Sequence, residues 1–199
     1  MRHLASITAW CAIAVIAAGC ASPPARFYTL SATAPAAGAR ASTASSLSVV
    51  VGPVSIPALL DQPQMVVSAG PNQVSFDEFN RWATPLADNI SQVLALDLAT
   101  TLGTPRVSLF QQTLNADADY RVAIDVQGFE SALADAAALN AAWTVRRTRD
   151  GRTQVGRTTV REPSGGAGFD ALAAAHSRAL AQLSRDIADA IRVLQDGTP

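Results

Sequence analysis

Apolar positions along this chain recur with two periods, and each switch between them marks an element. Leu86, Ile90, Val93, Leu94 and Leu98 fall three and four residues apart, the spacing that lines one face of an α-helix. Asp77 offers a cap ahead of that run, and Gly103 with Pro105 stops it. A second stripe, Leu172, Leu180, Leu183, Ile187, Ile191 and Leu194, predicts another amphipathic helix. Elsewhere the period is two. Tyr120, Val122, Ile124 and Val126 alternate with Arg121, Ala123, Asp125 and Gln127, which describes a strand with one wet face. Leu47 to Pro57 is a β-rich run that proline ends or places at an edge, and Gln64–Ser68, Gln73–Phe76 and Arg106–Phe110 are shorter strand candidates. The turn signal Gly70-Pro71-Asn72 separates two of them, and Asp150-Gly151 marks a hairpin between Ala141–Val145 and Thr153–Arg161. Two amphipathic helices against one mainly antiparallel sheet predict an α+β fold in a single domain.

The first twenty residues follow another rule. A basic tip at Arg2 and His3 precedes a mostly apolar run from Ala5, which closes on Ala17-Ala18-Gly19-Cys20. Such a run is shorter than the ~20 apolar residues that span a bilayer, and small residues before a cysteine fit a lipoprotein signal peptide. Residues 1–19 are therefore expected to be cleaved between Gly19 and Cys20, and Cys20 to carry the lipid. A single acyl chain binds membranes only marginally, whereas the two or three of a mature lipoprotein hold it there. The other cysteine, Cys11, lies in the segment to be removed. Residues 20–25 read as anchor and tether, with at most ~18 Å of extended chain before β-favouring Arg26-Phe27-Tyr28-Thr29-Leu30. Residues 31–46 are nearly all Ala, Ser, Thr, Pro and Gly, a composition that predicts a mobile loop.

Charge narrows the partners. The chain carries a formal −1, and removal of Arg2 makes it −2, so nothing draws it to nucleic acid. Every cation among its Lys+Arg total is arginine. Catalytic candidates are sparse: beyond residue 20 the one histidine is His176, read as lying on the surface of the last helix, and no Gly-x-Ser-x-Gly elbow accompanies it. Asp117, Asp119 and Asp125 lack the spacing of a calcium loop. Ser164-Gly165-Gly166-Ala167-Gly168 has no Walker lysine and reads as a connection. No metal or cofactor is expected. Arg81-Trp82 opens the first predicted helix, where the indole either covers the core or anchors a partner.

Four segments resemble the ABC-type transport auxiliary lipoproteins. They are Phe27-Tyr28-Thr29-Leu30, Val51-Gly52-Pro53-Val54-Ser55-Ile56-Pro57, Leu60-Asp61-Gln62-Pro63-Gln64-Met65-Val66 and Phe79-Asn80-Arg81-Trp82-Ala83-Thr84-Pro85-Leu86. The chain departs from the family's habit at Leu59, Gln62 and Thr84, where an aromatic, an arginine and an acid are usual. The resemblance implies that residues 26–199 form the family's domain and that the protein is a non-catalytic accessory of an intermembrane lipid transport system. It further implies a lipid anchor on the periplasmic face of the outer membrane, an MCE-domain periplasmic protein as partner, and self-association. A stand-alone carrier of lipid or other hydrophobic ligands and an envelope assembly lipoprotein remain as alternatives. Gly52, Pro53, Pro57, Leu60, Asp61, Pro63, Gln64, Arg81 and Trp82 are taken as the docking surface.

Overall fold

The structure of the protein, a computed structural model, describes residues 23–33, 46–110 and 118–197. The expected signal segment, Gly19 and Cys20, Asp117 and residues 34–45 of the expected loop lie outside the described residues.

Among the described residues, eight strands and two α-helices follow one another as β1 (Arg26–Tyr28), β2 (Val49–Ser55), β3 (Gln64–Gly70), β4 (Gln73–Trp82), α1 (Leu86–Leu102), β5 (Val107–Leu109), β6 (Tyr120–Ala132), β7 (Ala136–Arg147), β8 (Thr153–Pro163) and α2 (Phe169–Asp196), with a short 3-10 turn at Ala58–Leu60. The α+β expectation holds. The single sheet does not: the strands form a five-stranded sheet in the order β5-β2-β6-β7-β8 and a three-stranded sheet in the order β1-β4-β3. Antiparallel pairing governs β3-β4 and β6-β7-β8, while β2 runs parallel to both its neighbours and β1 parallel to β4. The reason is legible in β2, where Val49, Val50 and Val51 are buried in succession; a strand covered on both faces carries no alternation.

Both helices lie against the five-stranded sheet and against each other. Their stripes are as expected: Leu86, Ile90, Val93, Leu94 and Leu98 of α1 and Leu172, Leu180, Leu183, Ile187, Ile191 and Leu194 of α2 are all buried. Gly103 ends α1 in the left-handed region at φ 65°, with its N–H bonded to Ala99 and Thr100 carbonyls.

The start of α1 differs from expectation. Asp77, Arg81 and Trp82 belong to β4, and the helix begins only after Pro85. The residue before a proline is pushed out of the helical region, so Thr84-Pro85 separates strand from helix, and Phe76, Phe79 and Trp82 supply the β-favouring side chains. Asp77 still caps something. Its Oδ1 accepts the backbone N–H of Phe79 at 3.0 Å and of Asn80 at 2.8 Å, closing a local turn where the β3-β4 register slips.

Trp143 shows how tightly the second helix is seated. A Cβ on Gly156 would lie 2.2 Å from the Trp143 ring, so β8 must carry glycine there. The indole N–H donates to Thr158 Oγ1 at 3.1 Å, and the Thr158 hydroxyl donates to Asp186 of α2 at 2.5 Å.

Candidate docking surface

The turn between β2 and β3 gathers several of the sequence-selected residues. The Leu60 N–H donates to the Pro57 carbonyl at 2.9 Å and that of Asp61 to the Ala58 carbonyl at 3.3 Å. Pro63 then ties the turn to the base of the β3-β4 hairpin, its carbonyl accepting the Trp82 N–H at 2.8 Å. There Gln64 pairs with Arg81, and Arg81 pairs in turn with Phe27 of β1. Pro57, Leu60, Asp61, Pro63, Gln64 and Arg81 are therefore brought into one neighbourhood. Gly52 and Pro53 are not part of it. They form the irregularity in β2 between Val51 and Val54, where Gly52 has φ 114° and a Cβ would meet Phe110 Cβ at 3.0 Å. Pro53 opens onto the other, helix-free face of the large sheet beside Asp125, Thr144 and Val155.

Register partners share a face. Val66 opposes Phe76 and Ser68 opposes Val74, so Phe76 and Val74 share a side of the hairpin, while Phe27, Arg81 and Gln64 form one row at its base, across the register slip. Phe27 is 64% exposed, Leu59 47%, Val74 45%, Phe76 43% and Phe79 40%. This is half of all the large exposed apolar side chains among the described residues, and such a concentration marks an interaction surface. Between the hairpin and β6 runs a groove of about 330 Å³, lined by Pro57, Leu59, Leu60, Val66, Val74 and Phe129 with Asn72, Gln73, Gln127 and Glu130 among them. Leu59, Phe76 and Phe79 are not among the residues that the sequence assigns to the docking surface: Phe79 falls in the segment expected to start a helix, and Phe76 closes a short strand candidate whose exposed face the sequence does not tell.

Trp82 resolves in favour of the core, being only 6% exposed. It meets Phe129 edge-on at 6.2 Å and His176 at 6.4 Å. His176 corrects a second expectation. It is fully buried, stacked on Phe129 with ring centroids 3.7 Å apart and planes at 9°, and its Nε2 shares a hydrogen bond of 2.8 Å with Ser131 Oγ. The face of α2 that carries Leu172, Leu180 and Leu183 also carries residue 176 at helical spacing, which is why it points inward. Burial pushes its pKa down to about 3. The charged imidazolium is disfavoured there, and among the described residues Nδ1 has no hydrogen-bond partner. The pair supplies a hydrogen bond inside the core.

The chain that comes from the expected anchor is held with unusual care. From Leu30 to Thr33 it crosses the groove between the helices: Leu30 N–H donates to Asn89 Oδ1 of α1 at 3.1 Å, Ser31 N–H to Ser177 Oγ of α2 at 3.1 Å, and Thr33 N–H to Asp97 Oδ1 of α1 at 3.0 Å. Residues 31–33 are thus bound, where the composition predicted the start of a loop. Burial raises the Asp97 carboxyl to about 6, against the opposing pull of the Thr33 amide and Arg185.

The family model described as the ABC-type transport auxiliary lipoprotein component matches residues 28–188. The chain belongs to that family. Its fold recurs in a solved protein of Xanthomonas campestris, 23% identical, with a TM-score of 0.70 over 88% of this chain and 100% of that one. Another solved structure, described as an uncharacterized protein, is 20% identical with a TM-score of 0.68 over 85% of this chain and 99% of that one. The PelC dodecamer of Paraburkholderia phytofirmans is more distant, 13% identical with a TM-score of 0.38 over 74% of this chain and 91% of that one. No curated protein sequence matches. Among the described residues no helix is long and apolar enough to cross a membrane, and no cluster of His, Cys, Asp and Glu is placed to hold a metal ion.

Proposed function

We propose that this auxiliary component is a lipid-anchored, non-catalytic docking protein of an intermembrane lipid transport system built from an ABC permease and a periplasm-spanning MCE-domain protein. Residues 1–19 are its signal peptide, Cys20 its lipidated first residue on the periplasmic face of the outer membrane, 20–25 its tether and 26–199 its domain. What supports the docking reading is the small sheet, which exposes Phe27 in the row of Gln64 and Arg81 at its base and Phe76 and Val74 along its hairpin. An exposed aromatic gains most when a partner removes it from water. The carrier alternative draws on the groove, but an open trough of about 330 Å³ that includes Gln73, Gln127 and Glu130 suits a surface contact better than an enclosed acyl chain.

The test is co-purification of the MCE-domain protein encoded with the transporter. Phe76→Ser combined with Leu59→Ser should lower its recovery at least about fivefold at a temperature where circular dichroism shows the variant still folded, since each side chain also gives up its partly buried area. Undiminished recovery would remove this face from the docking reading. Stoichiometric phospholipid in the purified wild-type domain would favour the carrier.

A further inference from the structure

The molecule has two chemically different ends, set by α2. Phe169 opens that helix against Tyr28, ring centroids 6.0 Å apart, so the tether leaves at this end. The 28 residues of α2 run about 42 Å at 1.5 Å each. At its other end the Leu194 carbonyl accepts a hydrogen bond from the buried Arg147 guanidinium. Here the strands of the large sheet begin and turn: Val49 pairs with Val107 and with Tyr120, Tyr120 with Arg147, and Arg146 with Thr153.

That row brings together Arg106, Arg121, Arg146, Arg149 and Arg152, scattered over 47 positions of sequence. Arg121 and Arg146 are direct register partners on one face. Arg106, Arg146 and Arg149 are exposed. Three acids among the described residues share this end and offset part of that charge, Asp119 lying beside Arg106 and Asp150 beside Arg147 and Arg149. Asp150 binds the Arg147 guanidinium and the Arg152 N–H, and Asp119 accepts the Ser48 N–H and hydroxyl; Asp196 closes α2 at this end. The whole chain carries −1, so the excess of cations here is offset elsewhere, and exposed Asp61, Glu78 and Asp88 lie toward the tether.

We infer that the arginine end captures an acidic segment of the periplasmic partner protein. The inference rests on the lipid-anchored docking reading and adds to it the partner's chemistry and the place of first contact. Anionic headgroups offer the same charge, but the tether ends about 42 Å away along α2, so a molecule standing on its tethered end holds its arginines off the membrane that bears it. A partner arriving across the periplasm reaches that end first, and a concentrated positive field speeds its encounter.

The test uses the full lipidated chain in vesicles of neutral phosphatidylcholine and the purified MCE-domain protein of the same transport system. Capture should weaken at least tenfold in the triple variant Arg121→Glu, Arg146→Glu, Arg149→Glu at low salt, and wild-type capture should fall as salt rises from about 50 to 500 mM. The matching Arg→Lys triple should keep its binding, which separates charge from any folding defect. Equal capture by wild type and the Glu triple would overturn the arginine end while leaving docking intact. No capture by wild type would overturn the docking reading and this inference with it. If unacylated Cys20→Ser protein binds phosphatidylglycerol vesicles, and the Glu triple loses that binding without losing the partner, the arginines serve lipid and the inference fails.

Discussion

His176 and Asp97 show what a single buried ionisable group does to this fold. Burial lowers the histidine to about 3, against an ordinary 6.5, so between those values only the unfolded chain takes up the proton. Its contribution is complete above pH 6.5 and is lost, at about 1.4 kcal/mol per pH unit, as the pH falls toward 3. Asp97 acts in the opposite sense. Its carboxyl is raised from 3.8 to about 6, so the folded state holds the extra proton in that interval, and stability declines as the pH rises through it. From about pH 4 to 6 the two slopes oppose each other, and wild-type stability is expected to be nearly flat. Asp97→Asn should then climb with pH across that window, and His176→Gln should decline. Urea unfolding at pH 4, 5, 6 and 7 measures all three; parallel profiles would contradict the burial of both groups. Neither environment was legible in the sequence. The stripe of α2 includes position 176, yet a lone histidine between apolar neighbours gives no sign that Phe129 and Ser131, 47 and 45 residues earlier, will receive it.

Among elements, α1 and α2 were the most legible, because burial of one helical face imposes a period that survives in the sequence. The β4–α1 junction was the least, since Phe76, Phe79 and Trp82 fit a helical spacing as well as a strand, and the pairing of β4 with β3 and β1 decides between them. The segment from Thr29 to Thr33 is another element that only packing reveals. Its anchor is Asn89, whose side chain accepts from Leu30 N–H and whose amide donates to Thr29 and Thr84 hydroxyls at 2.8 and 3.0 Å. Asn89→Leu would leave those groups without their partner in a buried site, at a cost of about 1–3 kcal/mol. The Leu30 amide should lose its hydrogen-exchange protection while the amides within α1 keep theirs. Unchanged protection at Leu30 would show that the segment is held by its apolar contact alone.

At the scale of the whole molecule, the anchor and the globular domain make separable predictions. Cys20→Ser should move the protein from the membrane to the soluble fraction, or leave it unprocessed, without altering the melting temperature of the domain. An intact-mass measurement that finds an unmodified thiol on the wild-type protein would remove the anchor. By itself the sequence determined helices α1 and α2, the alternating strand β6 and the family, because each is written in local period or in runs of neighbouring residues. Tertiary structure alone decided that the strands divide between two sheets, that Trp82 and His176 turn inward, and that Gly52-Pro53 stands apart from the Pro57–Arg81 strip. It also decided that five distant arginines share one end. Those outcomes depend on pairings between residues tens of positions apart, and a periodic pattern reports which face of an element is apolar without naming what will cover it.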